Sequence, residues 1–180
     1  MKRLALLAAL VAGMAPGTAF AAKDIGCIAA RLSPDMLARI GAREVASLDS
    51  DSKTDWLAED REAVIAARNA CRQANGWSND ATDLAMNYFE AATSLATVEP
   101  LLAAQGLDAA AMRAAYAALP EPDRRSIVMS DKLSPGAEAL LRQAAGKRDD
   151  PKFARRLSLV VAFIGGLAAI EFYPAQFAAL

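Results

Sequence analysis

The chain has 180 residues, 54% of them apolar and only 6% aromatic, with 20 basic against 21 acidic side chains and no histidine. So balanced a charge gives nucleic acid no basic footprint to bind, and a chain without histidine cannot build a Ser-His-Asp or Cys-His site or an ordinary histidine zinc site. Alanine, the strongest helix former, makes up roughly a quarter of the residues, which argues for an all-α fold before any periodicity is read.

At the N-terminus Lys2-Arg3 precede an apolar run from Leu4 to Met14, Pro16-Gly17 break it, and Ala19-Phe20-Ala21 supplies a small-x-small cleavage pattern. These are the parts of a secretory signal peptide, so residues 1–21 are expected to be removed and residues 22–180 to form one domain in the periplasm or outside the cell. Losing Lys2 and Arg3 leaves 18 basic side chains against 21 acidic ones, a net charge of −3. Cys27 and Cys71 are then the only two cysteines, and in an oxidising compartment an even count reads as one disulfide.

Ile25, Ile28 and Leu32 have helical spacing and carry Cys27 on a short first helix. Ser33-Pro34 starts a second, with serine as cap and proline at the first helical position. Leu48 to Asp55 reads as a polar loop. Its Asp49, Asp51 and Asp55 resemble half of a calcium loop, but Lys53 and Thr54 occupy positions that need a ligand and a glycine, so the loop is expected to be solvated, with Thr54 or Asp55 capping the next helix. Trp56, Leu57, Ala63, Val64, Ala67, Ala70, Cys71 and Ala74 form the apolar stripe of that helix, interrupted by Asp60 and stopped at Asn75-Gly76.

A longer helix follows the Ser78–Asp80 cap, with Ala81, Leu84, Ala85, Tyr88, Phe89, Ala92, Leu95 and Ala96 on its inner face and Pro100 expected to bend or restart it. Asp108 caps a further helix, Pro122 starts a short one, and Ser134-Pro135 starts one that ends at Gly146. After Asp150-Pro151 comes the most apolar stretch, Leu157 to Ile170, followed by Glu171 to Leu180. It has no polar face, so it must lie inside a protein or in a membrane. The run to Ile170 is short for a bilayer, Glu171 and Pro174 suit an extended span poorly, and Arg155-Arg156 would lie on the wrong side of the membrane. The expected architecture is therefore all-α: a single compact domain of six or seven helices around a buried C-terminal helix, with one disulfide and membrane attachment as the alternative.

The sequence contains no phosphate loop, and Gly165-Gly166 lies inside the apolar run without the context of a dinucleotide fingerprint. Two carboxylates have a reason to be perturbed, Asp60 on an apolar stripe and Glu171 in the apolar C-terminal stretch; paired acid/base work would fall to them. Asp83, Asn87 and Glu90 line one side of the long helix and are read as a solvated face. Arg148, Lys152, Arg155 and Arg156 crowd the start of the last helix, where they could meet an anion or an acidic partner. No catalytic, cofactor or metal residues are assigned. The function expected is a non-enzymatic module binding an envelope component or another protein, with a carboxylate-dependent, glycan hydrolase-like enzyme as the alternative.

Overall fold

The structure, a computed structural model, describes residues 24–48 and 56–180; the signal-peptide reading and the calcium-loop comparison fall outside them. The described residues form eight α-helices and one 3-10 turn, and no strand. The helices are α1 (Cys27–Ala30), α2 (Pro34–Ser47), α3 (Ala58–Asn75), α4 (Asn79–Leu102), α5 (Ala109–Ala118), α6 (Glu121–Met129), α7 (Pro135–Ala145) and α8 (Phe153–Ala178), with the 3-10 turn at Ala103–Gln105.

The punctuation expected from the sequence is where the helices begin and end. The side-chain oxygens of Ser33, Ser78, Asp108 and Ser134 each accept a hydrogen bond from a backbone N–H of the first turn they cap. Gly76 and Gly106 close their helices in the left-handed conformation, at φ 64° and 70°. One start is different. α3 begins at Ala58, with Leu57 as N-cap and no side-chain cap from it; Thr54 and Asp55, the caps expected from the sequence, lie outside the described residues. Trp56 therefore precedes the helix instead of joining its stripe, and Ala74 is exposed. The inner face of α3 is Asp60, Val64, Ala67 and Cys71.

α8 is the central element. It packs along α4 and is flanked by α5, α6 and α7. Leu159, Val160, Phe163, Ile164, Ala168 and Phe172 join Leu95, Val98 and Leu102 of α4 in one apolar cluster, which also takes in Met112, Tyr116, Leu140 and Leu141. Phe177, near the other end of α8, belongs to a second cluster with Ala81, Leu84, Ala85 and Phe89 of α4 and with Ile28, Ile40, Val64, Cys71 and Trp77. Thus α4 and α8 run through both cores. A Cys27–Cys71 disulfide ties α1 to α3 on the edge of the second cluster.

α4 runs through Pro100 to Leu102 without restarting, and the chain then tightens into the 3-10 turn Ala103–Gln105 before Gly106. α8 runs through Pro174 to Ala178 and has 26 residues, long and apolar enough to cross a membrane. The shortness of the Leu157–Ile170 run is therefore no argument against a span. What distinguishes α8 from a lipid-facing helix is packing: Leu159, Val160, Phe163, Ile164 and Ala168 are fully covered by protein, while Val161 and Ile170 remain exposed.

Candidate functional site

The two carboxylates singled out from the sequence are both structural. Asp60 is completely buried and accepts hydrogen bonds from Arg39, at 2.6 Å from Nη2 and 3.4 Å from Nε, which pins α3 to α2. Its place in the first turn of α3 also suits an acid near a helix N-terminus. Glu171 accepts from Tyr116 Oη at 2.6 Å and from Arg124 at 2.9 and 3.1 Å, joining α8 to α5 and α6. Burial alone would raise the Glu171 carboxyl; the bonds from Arg124 and Tyr116 outweigh burial and hold it below the ordinary range. An acid held ionised by a bidentate arginine is a strut, poorly suited to deliver a proton.

The basic cluster at the start of α8 is partly structural as well. Arg156 bonds Asp150 at 2.8 Å and donates to the Gln105 carbonyl at 2.9 Å, closing the corner between the 3-10 turn and the α7–α8 link. Arg148 and Lys152 are exposed, and Arg155 is half-buried.

A different pair of carboxylates shares an open groove of about 940 Å³ between α2, α4 and α8. α4 supplies Asn87, Glu90, Ala91 and Ser94, at i, i+3, i+4 and i+7, so they form one stripe beside its core face. α8 supplies a floor of Val161, Ala162, Gly165 and Gly166, and α2 supplies Glu44 and Ser47. Trp56, Arg61 and Tyr173 complete the lining. Trp56 is fixed by an edge-on contact with Phe89, ring centroids 6.3 Å apart. The groove stays open because small residues face each other across it. A Cβ built on Gly165 would meet nothing within 4 Å, whereas one on Gly166 would lie 2.9 Å from Leu95 Cβ. Gly166 is thus the close contact between α8 and α4, and Gly165 is bare backbone under the groove.

Glu44 is half-buried, and desolvation followed by the neighbouring Glu90 charge pushes its carboxyl up to about 8. Glu90 meets water on its groove side, yet the walls around it desolvate it enough to raise it too. Neither makes an ion pair among the described residues, although Asp60, Glu99, Asp150 and Glu171 each meet an arginine. Tyr173, at the α8 side, is also raised by burial. Among the described residues no group of three or more His, Cys, Asp or Glu side chains is placed to hold a metal ion.

Asn87 and Glu90 are therefore groove wall, while Asp83, expected beside them on a solvated face, is exposed and outside the lining. Glu44 and Arg61 drew no notice in the sequence. The signal for Glu44 was present: Ile40, Glu44 and Leu48 lie at i, i+4 and i+8, so a carboxylate interrupts the inner stripe of α2 just as Asp60 interrupts that of α3. Fold and site together define an all-α protein with a carboxylate-lined groove along its central helix pair. Comparison of the chain with protein-family models, with curated proteins and with solved structures found no match.

Proposed function

We propose that the protein is exported and acts as a non-enzymatic binding module of the envelope, with the α2–α4–α8 groove as its binding surface. Export is supported by the Lys2-Arg3, Leu4–Met14 and Ala19-Phe20-Ala21 pattern and by a cysteine pair at disulfide distance. Binding is supported by the groove itself, whose volume of about 940 Å³ lies at the upper end of small-ligand sites and whose lining mixes two aromatic rings with six polar or charged groups on helices. The observation that carries the reading is the lining itself, in which Glu44 and Glu90 share one open groove with Trp56 and Tyr173.

Gly165→Leu tests the reading, because the added side chain fills the groove without meeting a neighbour at its Cβ. Full-length protein and variant are exposed to the same periplasmic extract, and retained proteins and small molecules are identified by mass spectrometry. A species held by the natural chain and lost from the folded variant supports the groove. Equal retention by both places binding elsewhere and overturns it.

The enzyme alternative now rests on Glu44, whose raised carboxyl can donate a proton at neutral pH, in place of Asp60 and Glu171. Release of reducing ends from purified peptidoglycan, abolished by Glu44→Gln, would establish it; no turnover by the folded natural protein removes it.

A further inference from the structure

We propose that the groove takes an organic ammonium ion, its nitrogen meeting the carboxylates of Glu44 and Glu90 and its apolar stem lying along the α8 floor at Gly165. This rests on the groove being a binding surface, as argued above. The cavity supplies what such a ligand needs from three helices at once. α2 and α4 bring two carboxylates into one groove, where the Glu90 charge acts on Glu44, and neither has an ion-pair partner among the described residues. α8 contributes backbone bared at Gly165, where nothing lies within 4 Å of a built Cβ, so a methylene chain can approach the helix directly. Trp56 and Tyr173 add aromatic surface of the kind that attracts organic cations.

Electrostatics select a cation over a neutral or anionic ligand. A desolvated carboxylate beside a second carboxylate is costly, and an ammonium ion seated with both removes that cost. Elsewhere in this protein the same problem is solved by arginine, as at Asp60 with Arg39 and Glu171 with Arg124. Among the described residues lining the groove the one basic side chain is Arg61 of α3, exposed to water, while the shifts arise from burial at both carboxylates and, at Glu44, also from the Glu90 charge. Among the described residues, the titratable groups that line the groove with Glu44 are Glu90 from α4, Arg61 from α3 and Tyr173 from α8. A bound cation favours the ionised form of Glu44, so binding at neutral pH expels a proton.

Calorimetric titration of the full chain with 1,5-diaminopentane, and with 1,5-pentanediol as its uncharged counterpart, tests the proposal. The diamine is expected to bind at least tenfold more tightly than the diol. Its affinity should rise about tenfold from pH 7 to pH 9, as the fraction of chains with ionised Glu44 rises from about a tenth to about nine tenths. Glu44→Gln, shown by circular dichroism to be folded, should weaken it tenfold or more, and Glu90→Gln should do the same independently. Equal binding of the diol, unchanged affinity in both variants, or no diamine binding at concentrations on the order of 10 mM overturns the inference. The Gly165→Leu capture separates this failure from failure of the groove reading. A species lost from that variant, together with an unbound diamine, removes the cation and leaves the groove; equal retention by natural chain and variant removes both.

Discussion

Glu44 is the side chain at which the sequence, the packing and the proposed function meet. An exposed glutamate titrates near 4.5, and this one is pushed up to about 8 by burial and by Glu90. Because the folded state holds the proton more tightly than the unfolded chain, folding is not penalised below about pH 4.5. The penalty accumulates as pH rises from there to about 8 and stays constant above. Glu44→Gln removes the titration. It should therefore leave stability at pH 4 nearly unchanged and raise it at pH 9 by roughly 1–2 kcal/mol, less than the whole shift implies because water reaches the groove. Denaturant unfolding of both proteins at the two pH values measures the difference, and an equal effect at both would show that Glu44 is not desolvated in the folded chain. Glu171 has the opposite sign. Its lowered carboxyl contributes stability above its unfolded value, and that contribution is lost as pH falls through the folded one.

At the scale of elements, the pairing of α4 with α8 depends on two adjacent glycines with opposite duties. Gly166 lets Leu95 and the Ala91 carbonyl approach to within 2.9 and 3.3 Å of where a Cβ would stand, so Gly166→Ala forces the helices apart. That should cost about 1–2 kcal/mol, the strain of overpacking exceeding the helix propensity regained. Gly165→Ala meets nothing and regains propensity alone, a gain of about 0.5–1 kcal/mol. Thermal melts should move in opposite directions by about 2–4 °C for each kcal/mol, and a loss of stability in Gly165→Ala would show the groove floor to be packed. Helix starts and stops were legible in the sequence because caps are local: Ser33, Ser78, Asp108 and Ser134 act on N–H groups two or three residues away. The groove was not, because it is made where three stripes meet and no single stripe records what lies opposite. Asn87 and Glu90 look solvated on α4 alone, and Glu44 looks like a helix-edge acid on α2 alone. Asp60 stands out for a sound reason, burial, whereas Glu171 lies exposed at the edge of α8; what periodicity could not supply was Arg39 and Arg124, their partners from other helices.

The whole molecule is two apolar clusters threaded by one helix pair, and this division governs how it should come apart. The first cluster draws on α4, α5, α7 and α8, with Val45 from the end of α2, and is held by side chains that are entirely covered, among them Phe163, Leu159 and Ile164. The second collects short or alanine-rich elements, α1, α2 and α3, onto one end of α4 and α8. α1 has only four residues, too few to hold a helix by itself, so its place depends on Ile28 in the core and on the bond from Cys27 to Cys71 across 44 positions of chain. A crosslink of that span disfavours the unfolded chain by about 4 kcal/mol in the chain-entropy account. Cys27→Ser combined with Cys71→Ser should remove much of it and concentrate the loss at one end. Hydrogen exchange of the double variant should show α1 and the α3 segment around Cys71 opening first, while amides of α8 between Leu159 and Phe172 keep their protection. The groove straddles the two clusters: Trp56 packs against the second, while Glu44, beside Val45, and Gly165, beside Ile164, lie with the first. If the opening spreads evenly through α4 and α8 instead, the two clusters are one cooperative core and the disulfide stabilises the molecule as a unit.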